Sequence, residues 1–408
     1  MSLFPKSLHD KINLLSLLLI AFTLPFHILL CSYSTALFVL NQIVEGDLRT
    51  KLKHSFKNKL VLLFVSFFLL YIIGLINSEN ISNGLFEIEK KVSLFIFPIL
   101  LFPLSLTQKD IHKILLSFVS ACFILSLIFI AGAASNYWNN GDPESFMLQN
   151  LTSATGIHRV YASMYFLFCI YILTYFQKKE VFHFNHSSLI LYGLMIYLTV
   201  FIFLMASRMM VILTSLSLMS ILINNLIQTK KLLSNLVMLG LFVMIGGGIL
   251  LFNERIRMIM SETYSSLDKG NSEDNYTGPN MRIEIWKNAS QLIKKNPFGV
   301  GTGDAQDELY SSYVSSGFRW GILNKFNAHN QYLQTAIEIG FIGLLVLVFC
   351  LLCPLIISIK EKNYLYLGLM LLFACACLSE SMLATQKGVV FYAFFNALLA
   401  FQYPRKNP

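Results

Sequence analysis

Charged side chains are scarce in this chain. Only 13% of its 408 residues are Asp, Glu, Lys or Arg, and 55% are hydrophobic, whereas roughly 25% of an average soluble domain is charged. The mean hydropathy is correspondingly high, at +0.62. This composition excludes a soluble globular domain and predicts an integral membrane protein.

The hydrophobic residues are gathered into long runs. Because about 20 apolar residues span a bilayer as a helix, the sequence predicts an all-α membrane protein with about twelve transmembrane helices. The first run lacks a small-residue cleavage site, so we expect a retained helix rather than a removed signal. Short connections predict a single polytopic membrane domain, residues 1–408. The predicted spans are 12–28, 30–45, 60–76, 92–106, 114–133, 161–176, 188–206, 209–227, 233–252, 331–357, 364–379 and 387–403.

Cysteine and paired carboxylates offer no metal site. All seven cysteines lie within apolar runs, and the pair Cys350 and Cys353 has the spacing of half a zinc site without a partner pair or nearby histidine. We therefore interpret the cysteines as packing residues. No Asp/Glu pair with metal-binding spacing accompanies the polar residues discussed below, so neither a metal nor another cofactor is expected.

The net charge of +9 reflects orientation and does not predict nucleic-acid binding. With the N-terminus inside, every predicted cytoplasmic connection is basic, as the positive-inside rule requires. Both termini are then cytoplasmic, and the long connection 253–328 lies outside, before a helix that starts near residue 331. The basic residues concerned are Lys6, Lys11, Arg49, Lys51, Lys53, Lys57, Lys59, Lys109, Lys113, Lys178, Lys179, Lys230, Lys231, Lys360, Lys362, Arg405 and Lys406.

The outer connection 253–328 has a pattern of its own. Residues 265–279 are rich in Ser, Gly, Asn and Asp and predict a flexible segment. From Asn280 an apolar stripe beside basic residues predicts an amphipathic helix near the outer membrane surface, ended by Asn296 and Pro297. The glycine-rich stretch 299–303 follows no strand and precedes no GK[ST], so we interpret it as a tight turn and not as a nucleotide loop.

Three cationic positions share the predicted outer face: Arg208, Arg282 and His329. Arg208 lies between two apolar runs, where a charge is costly and therefore a functional candidate, although snorkelling to lipid headgroups is the ordinary alternative. Arg282 opens the amphipathic helix, and its ordinary alternative is a solvated pair with Glu284.

His329 lies at the predicted start of a membrane helix. A capping histidine is the simple interpretation. At 100° per residue, however, His329, Leu333, Ala336 and Gly340 form one narrow stripe, and small residues on it would let a neighbouring helix approach closely. We therefore expect the imidazole to be held at a packed helix junction.

These residue types suit one kind of chemistry. Arginine binds phosphate through bidentate, charge-assisted hydrogen bonds, and histidine accepts a proton near neutral pH. Together they predict a lipid-diphosphate substrate, with arginine stabilising the leaving diphosphate and His329 deprotonating an attacking hydroxyl.

At these positions the chain resembles the bacterial O-antigen ligase and polymerase superfamily. The motifs that carry the resemblance occur in the family's order, mainly within residues 200–345. They are Ser207-Arg208 followed by Ile212, where the ligase pattern usually has Leu; Arg282 with Trp286 and the stretch 296–301; and His329 followed by Gly340.

The resemblance implies a GT-C-like, metal-independent, inverting glycosyltransferase of the inner membrane with a periplasmic active site. Its donor would be a glycan on undecaprenyl diphosphate, its acceptor lipid A-core, its diphosphate-binding residues Arg208 and Arg282, and its base His329. His158, Arg159, Lys90 and Lys91 also face outward in the predicted topology, so we expect them to line the same cavity. Ligase is favoured, while repeat-unit polymerase and protein O-oligosaccharyltransferase remain open. A transporter of lipid-linked glycan is disfavoured because the cations cluster at outer helix ends.

Overall fold

The computed structural model describes residues 5–183, 187–229, 240 and 278–402. These residues form sixteen α-helices and no β-strand, which confirms the all-α prediction. The helices are α1 Lys6–Thr23, α2 Ile28–Glu45, α3 Leu48–Ser55, α4 Lys59–Ile73, α5 Ile81–Lys91, α6 Ser93–Leu101, α7 Gln108–Asn140, α8 Arg159–Lys178, α9 Ser187–Met205, α10 Arg208–Thr229, α11 Gly278–Lys295, α12 Ala305–Ser316, α13 Arg319–Asn324, α14 Gln331–Lys360, α15 Tyr364–Ser379 and α16 Gln386–Phe401.

Six of the described helical segments are long and apolar enough to cross a membrane, so this is a multi-pass membrane protein. They are Ile28–Glu45, Lys59–Asn77, Gln108–Asn140, Arg159–Lys178, Ser187–Met205 and Gln331–Lys360. Three shorter apolar helices, Arg208–Ile223, Tyr364–Ser379 and Gln386–Phe401, coincide with other predicted spans. The predicted span 233–252, apart from Gly240, and most of the predicted flexible segment 265–279 lie outside the described residues.

The predicted span 92–106 is wrong in its boundaries. The apolar helix α6 ends at Leu101, and Phe102 and Pro103 form a turn. Before it, α5 ends at Lys91, and only Val92 separates the two helices. The basic end of α5 therefore leads directly into an apolar helix.

The chain divides into two compact units, residues 1–121 with 281–408 and residues 122–280. In the first unit, aromatic side chains of α6 and α16 interlock: the rings of Phe97 and Phe394 lie 5.3 Å apart, edge to face. Cys350 is buried within α14, and the hydroxyl of Tyr392 donates to its carbonyl at 3.0 Å. All seven cysteines are free thiols in helices, in agreement with their interpretation as packing residues.

Helix α14 is broken near its start, contrary to the prediction of a continuous helix over 331–357. Ile339 (φ −132°, ψ 19°) and Gly340 (φ 70°, ψ −168°) leave the helical conformation. The break exposes backbone carbonyls that an intact helix would satisfy. The amides of Val300 and Gly301 donate to the carbonyls of Ile337 and Glu338, at 2.8 and 3.2 Å.

The glycine-rich segment 299–303 is thus a turn that docks on the break in α14. Gly299 (φ +88°) and Gly301 (φ +113°) adopt left-handed conformations that favour glycine. The same turn contacts the end of α4, where the Thr302 hydroxyl donates to the carbonyl of Tyr71 at 2.7 Å. The tight-turn interpretation is confirmed, and the turn joins α4 to α14.

Gly340 has a different role from the one predicted. A side chain at this position would collide with the backbone of Phe298, and the amide of Phe341 donates to the carbonyl of Pro297 at 2.9 Å. The helical stripe from His329 to Gly340 is therefore wrong: Gly340 permits a sharp break against a turn, not the approach of a neighbouring helix.

Candidate functional site

His329 lies just before α14 and not within it. Its φ is +43°, in the left-handed region, and its amide donates to Oδ1 of Asn327 at 2.9 Å. The cap of α14 is Asn330, whose Oδ1 accepts hydrogen bonds from the amides of Tyr332 and Leu333. The capping interpretation of His329 is therefore wrong, and its side chain is directed by the bend that precedes the helix.

The imidazole of His329 is paired with a carboxylate from another part of the chain. Its Nδ1 lies 2.9 Å from Oε1 of Glu380, which directly follows α15. The side chains are 23% and 9% exposed, and the ring of Phe326 lies 5.6 Å from that of His329. With Nδ1–H donating to the carboxylate, the Nε2 lone pair is left to accept a proton.

A chain of hydrogen bonds supports this bend. The amide of Ala328 donates to Oε1 of Gln334 at 3.1 Å, and Nε2 of Gln334 donates to Oε1 of Glu338 at 2.9 Å. The indole Nε1 of Trp286 donates to the carbonyl of Ala328 at 3.0 Å. The amide and the carbonyl of Ala328 are thus both held, by the buried side chain of Gln334 and the half-buried side chain of Trp286.

Arg282 lies one helical turn before the residue that makes this indole contact. Helix α11, predicted from Asn280 and confirmed over Gly278–Lys295, carries both Arg282 and Trp286. Residues four apart lie on the same face of a helix. Trp286 binds the carbonyl next to His329, and the half-buried Arg282 lies on the same face of α11 as Trp286, one turn away.

Helix α12 holds the preceding residues. Nε2 of Gln306 donates to the carbonyl of Lys325 at 2.9 Å, and the hydroxyl of Tyr313 donates to the carbonyl of Phe326 at 3.1 Å. Burial raises the pKa of the Tyr313 hydroxyl, so Tyr313 remains a donor at neutral pH. The segment that delivers His329 is therefore fixed on both sides.

Lys90 and Lys91, at the end of α5, share one carboxylate. Glu87 accepts from Lys90 and, at 2.7 Å, from Lys91. Burial opposes ionisation of Glu87, but the two ammonium groups prevail and lower the pKa of its carboxyl. Lys91 is fully buried, with Nζ 4.7 Å from the centre of the Tyr71 ring, while Lys90 also donates to the carbonyl of Ala384 at 3.2 Å.

A polar cavity of about 420 Å³ lies within the first unit. Lys90 lines it, whereas Lys91 is not among its lining residues. Asn327, which binds the amide of His329, also lines it. The full lining comprises Asn80, Asn83, Glu87, Lys90, Thr302, Ala305, Gln306, Asp307, Asn327, Gln334, Glu338 and Ala384.

The second unit contains Arg208, Arg159 and His158. Arg208 is exposed at the first residue of α10, after a tight turn in which Ala206 has φ +45°. Nη1 of Arg159 donates to the carbonyl of Met205 at 3.2 Å, three residues before Arg208. His158 directly precedes α8, with its ring 6.4 Å from that of Tyr161. Arg208 thus lies between two apolar helices, as the sequence predicts.

Metal ligands do not cluster in the parts of the chain that the structure describes. No group of three or more His, Cys, Asp or Glu side chains there could hold a metal ion. Metal independence stays a prediction, and the proposed roles below use only side chains of this chain.

The fold and this geometry define a helical, multi-pass membrane protein with a carboxylate-paired histidine beside a polar cavity. Residues 193–348 match the family model described as O-antigen ligase, in agreement with the resemblance to the O-antigen ligase superfamily seen in the sequence. The match contains Arg208, Arg282 and His329. It supports a ligase- or polymerase-type role in glycan transfer.

One relative carries no functional description of its own. A protein of Haemophilus influenzae (strain ATCC 51907 / DSM 11121 / KW20 / Rd), described as an uncharacterized protein, is 30% identical over 191 residues. The alignment covers 42% of this chain and 45% of that protein, so the chain spans less than half the length of this relative.

Two acidic residues of the site were missed from the sequence. Glu380 lies between the apolar runs of α15 and α16, and a lone carboxylate between two membrane helices is itself a signal of function. Glu87 gave no comparable signal of function in the sequence, because it lies among other charged residues, as is common at the end of a helix. Its importance comes from the burial of Lys91.

Proposed function

We propose that this protein is a metal-independent, inverting O-antigen ligase. It transfers a glycan from undecaprenyl diphosphate to lipid A-core at the periplasmic face of the bacterial inner membrane. The observation that carries the proposal is the 2.9 Å contact between Nδ1 of His329 and Glu380, in a chain that matches the O-antigen ligase family over residues 193–348.

The proposed step is a single displacement. An acceptor hydroxyl oxygen attacks the anomeric carbon of the donor sugar, and its proton passes to Nε2 of His329. The bond between the anomeric carbon and the diphosphate oxygen breaks, and the diphosphate leaves with the electron pair. Attack opposite the leaving group inverts the anomeric carbon. Glu380 stabilises the imidazolium and holds the ring in place, as a carboxylate does in hydrolytic triads.

Arginine supplies the charge that the leaving diphosphate requires. Arg282 is supported by its position one turn from Trp286, which binds the carbonyl adjacent to His329. Arg208 is supported by its residue type and its position at the start of α10. A guanidinium offers two parallel N–H groups to a phosphate and stays ionised when partly desolvated.

The decisive experiment is deletion of the gene, followed by complementation and a gel of the lipopolysaccharide. For a ligase we expect core without O-antigen and an accumulation of polymerised, lipid-linked glycan. Core that carries a single repeat unit would instead identify a repeat-unit polymerase, which uses the same chemistry on a different acceptor. Loss of glycan from proteins alone would identify a protein O-oligosaccharyltransferase.

The base is tested in the same strain. His329→Ala should be expressed at the normal level and restore no O-antigen on the core. The matched control is His183→Ala, at an exposed histidine beyond α8, which should restore it fully. Normal capped lipopolysaccharide with His329→Ala would remove the role of base from His329.

A further inference from the structure

The cavity beside His329 presents hydrogen-bonding groups that the described part of the chain leaves unused. Within those residues, no group donates to Oδ1 of Asn83 or Oε1 of Gln306, and none accepts from Nδ2 of Asn327. Lys90 uses two of its three N–H groups, on Glu87 and the carbonyl of Ala384. The wall therefore offers donors and acceptors to a ligand.

The charges of the lining exclude an anionic ligand. Three carboxyl groups, from Glu87, Asp307 and Glu338, accompany the single ammonium of Lys90, and that ammonium is already paired with Glu87. A diphosphate requires a surplus of cations, preferably arginines, and none of the lining residues is an arginine. A ligand with hydroxyls fits better, because each hydroxyl both donates and accepts.

The size of the cavity fits a sugar. At about 420 Å³ it lies within the range of roughly 300–1,000 Å³ that is usual for small-molecule sites. The amide side chains of Asn80, Asn83, Gln306, Asn327 and Gln334 make up much of its lining. These groups are neutral, so they bind hydroxyls without requiring a counter-charge.

Asn327 connects the cavity to the proposed base. Its Oδ1 accepts from the amide of His329 at 2.9 Å and from the hydroxyl of Ser381 at 3.3 Å. Glu380, which pairs with the His329 imidazole, directly precedes Ser381. A ligand on Asn327 therefore lies next to the residue that would accept a proton from the acceptor.

We propose that this cavity binds an uncharged sugar of the acceptor, the saccharide whose hydroxyl is to be glycosylated, and not the diphosphate of the donor. This inference rests on the proposed function and specifies the acceptor subsite. Amides of α5, α12 and the segment before α14 recognise its hydroxyls, and the diphosphate is bound by arginines elsewhere.

Occlusion of the cavity tests this assignment. Ala384 lines it, and Ala384→Phe fills space without removing a polar side chain. Thr385→Phe is the matched control, because the next residue is exposed and absent from the lining. Binding of deacylated lipid A-core oligosaccharide to the purified full chain in nanodiscs is measured by saturation-transfer NMR, without donor.

We expect binding by the wild type and by Thr385→Phe, and a Kd at least tenfold weaker for Ala384→Phe. Ala384→Leu should give an intermediate loss, and inorganic diphosphate should not displace the sugar. The two Phe variants must have the same size-exclusion elution volume and melting temperature, so that weaker binding reflects occlusion of the cavity and not misfolding. If Ala384→Phe does not fold, the binding of Ala384→Leu is compared with the wild type instead.

The outcomes separate the two proposals. Equal binding by Ala384→Phe and the wild type, no binding by the wild type, or displacement by diphosphate would overturn the acceptor subsite. If the wild type binds the sugar but deletion of its gene leaves capped lipopolysaccharide unchanged, only the ligase assignment would be overturned.

Discussion

Nδ1 of His329 and Oε1 of Glu380 lie 2.9 Å apart although the two residues are 51 positions apart in the sequence. The histidine is delivered by the bend before α14 and the carboxylate by the end of α15. With Nδ1–H as the donor to the carboxylate, this pairing leaves the Nε2 lone pair to accept a proton. In the proposed reaction Glu380 is accordingly a positioning residue, which acts through His329.

Glu380→Gln should reduce transfer at neutral pH without changing expression. The amide can still accept a hydrogen bond from Nδ1–H, but it no longer compensates the positive charge that forms on His329 during proton transfer. We expect kcat to fall at least tenfold, KM to change little and the acid limb of the pH–activity profile to move. The exposed Glu361→Gln should keep the wild-type profile, and an unchanged profile for Glu380→Gln would reduce Glu380 to a structural contact.

Arg208→Lys and Arg282→Lys should each weaken transfer at least tenfold and raise the KM for the lipid-diphosphate donor. Lysine keeps the charge but lacks the planar pair of N–H groups that binds a phosphate. The control is Arg319→Lys, at an exposed arginine that opens α13. Full activity of Arg208→Lys would make Arg208 an anchor to lipid headgroups.

Gly340→Ala should destabilise the protein by about 1–3 kcal/mol, because its φ of 70° disfavours a side chain. The added methyl would also meet the backbone of Phe298, which loosens the turn from the break in α14. Gly193→Ala is the control, since the added methyl would lie more than 4 Å from every atom outside the adjoining backbone of its own helix, and alanine favours a helix. Equal melting temperatures of the two variants would contradict the docking of the turn.

Glu87→Gln should lower stability by about 3 kcal/mol at neutral pH, because the buried Lys91 loses its partner. The sign of the pH dependence follows from the lowered pKa of Glu87. Its contribution to stability is present above the ordinary glutamate pKa of about 4.3 and is lost as pH falls further. The melting temperature of the wild type should therefore drop below about pH 4.3, and that of Glu87→Gln should drop less.

The exposed Glu89 provides the matched control for that measurement. Glu89→Gln should melt like the wild type across the same pH range, because it leaves the pairs of Glu87 with Lys90 and Lys91 intact. A Glu89→Gln protein as unstable as Glu87→Gln would show that the net charge of α5, and not the pairing of Lys91, controls stability.

Local patterns predicted the elements around the site well. The amphipathic helix from Asn280, its end before Pro297 and the turn over 299–303 are all confirmed, because an apolar stripe, a proline and glycines at positive φ act on the chain over a few residues. The stripe from His329 to Gly340 failed for the same reason: helical periodicity assumes a continuous helix, and α14 breaks at Ile339 and Gly340.

The sequence by itself determined the class of protein and the side chains of interest, since the length of apolar runs and the distribution of charge can be read one segment at a time. Only the tertiary structure decided that His329 pairs with Glu380, that Lys91 is buried beside Glu87, and that Asn327, which accepts from the His329 amide, lines a polar cavity. The pairing joins residues 51 positions apart, and the burial of Lys91 and the lining of the cavity depend on packing between distant segments. No local pattern specifies that packing.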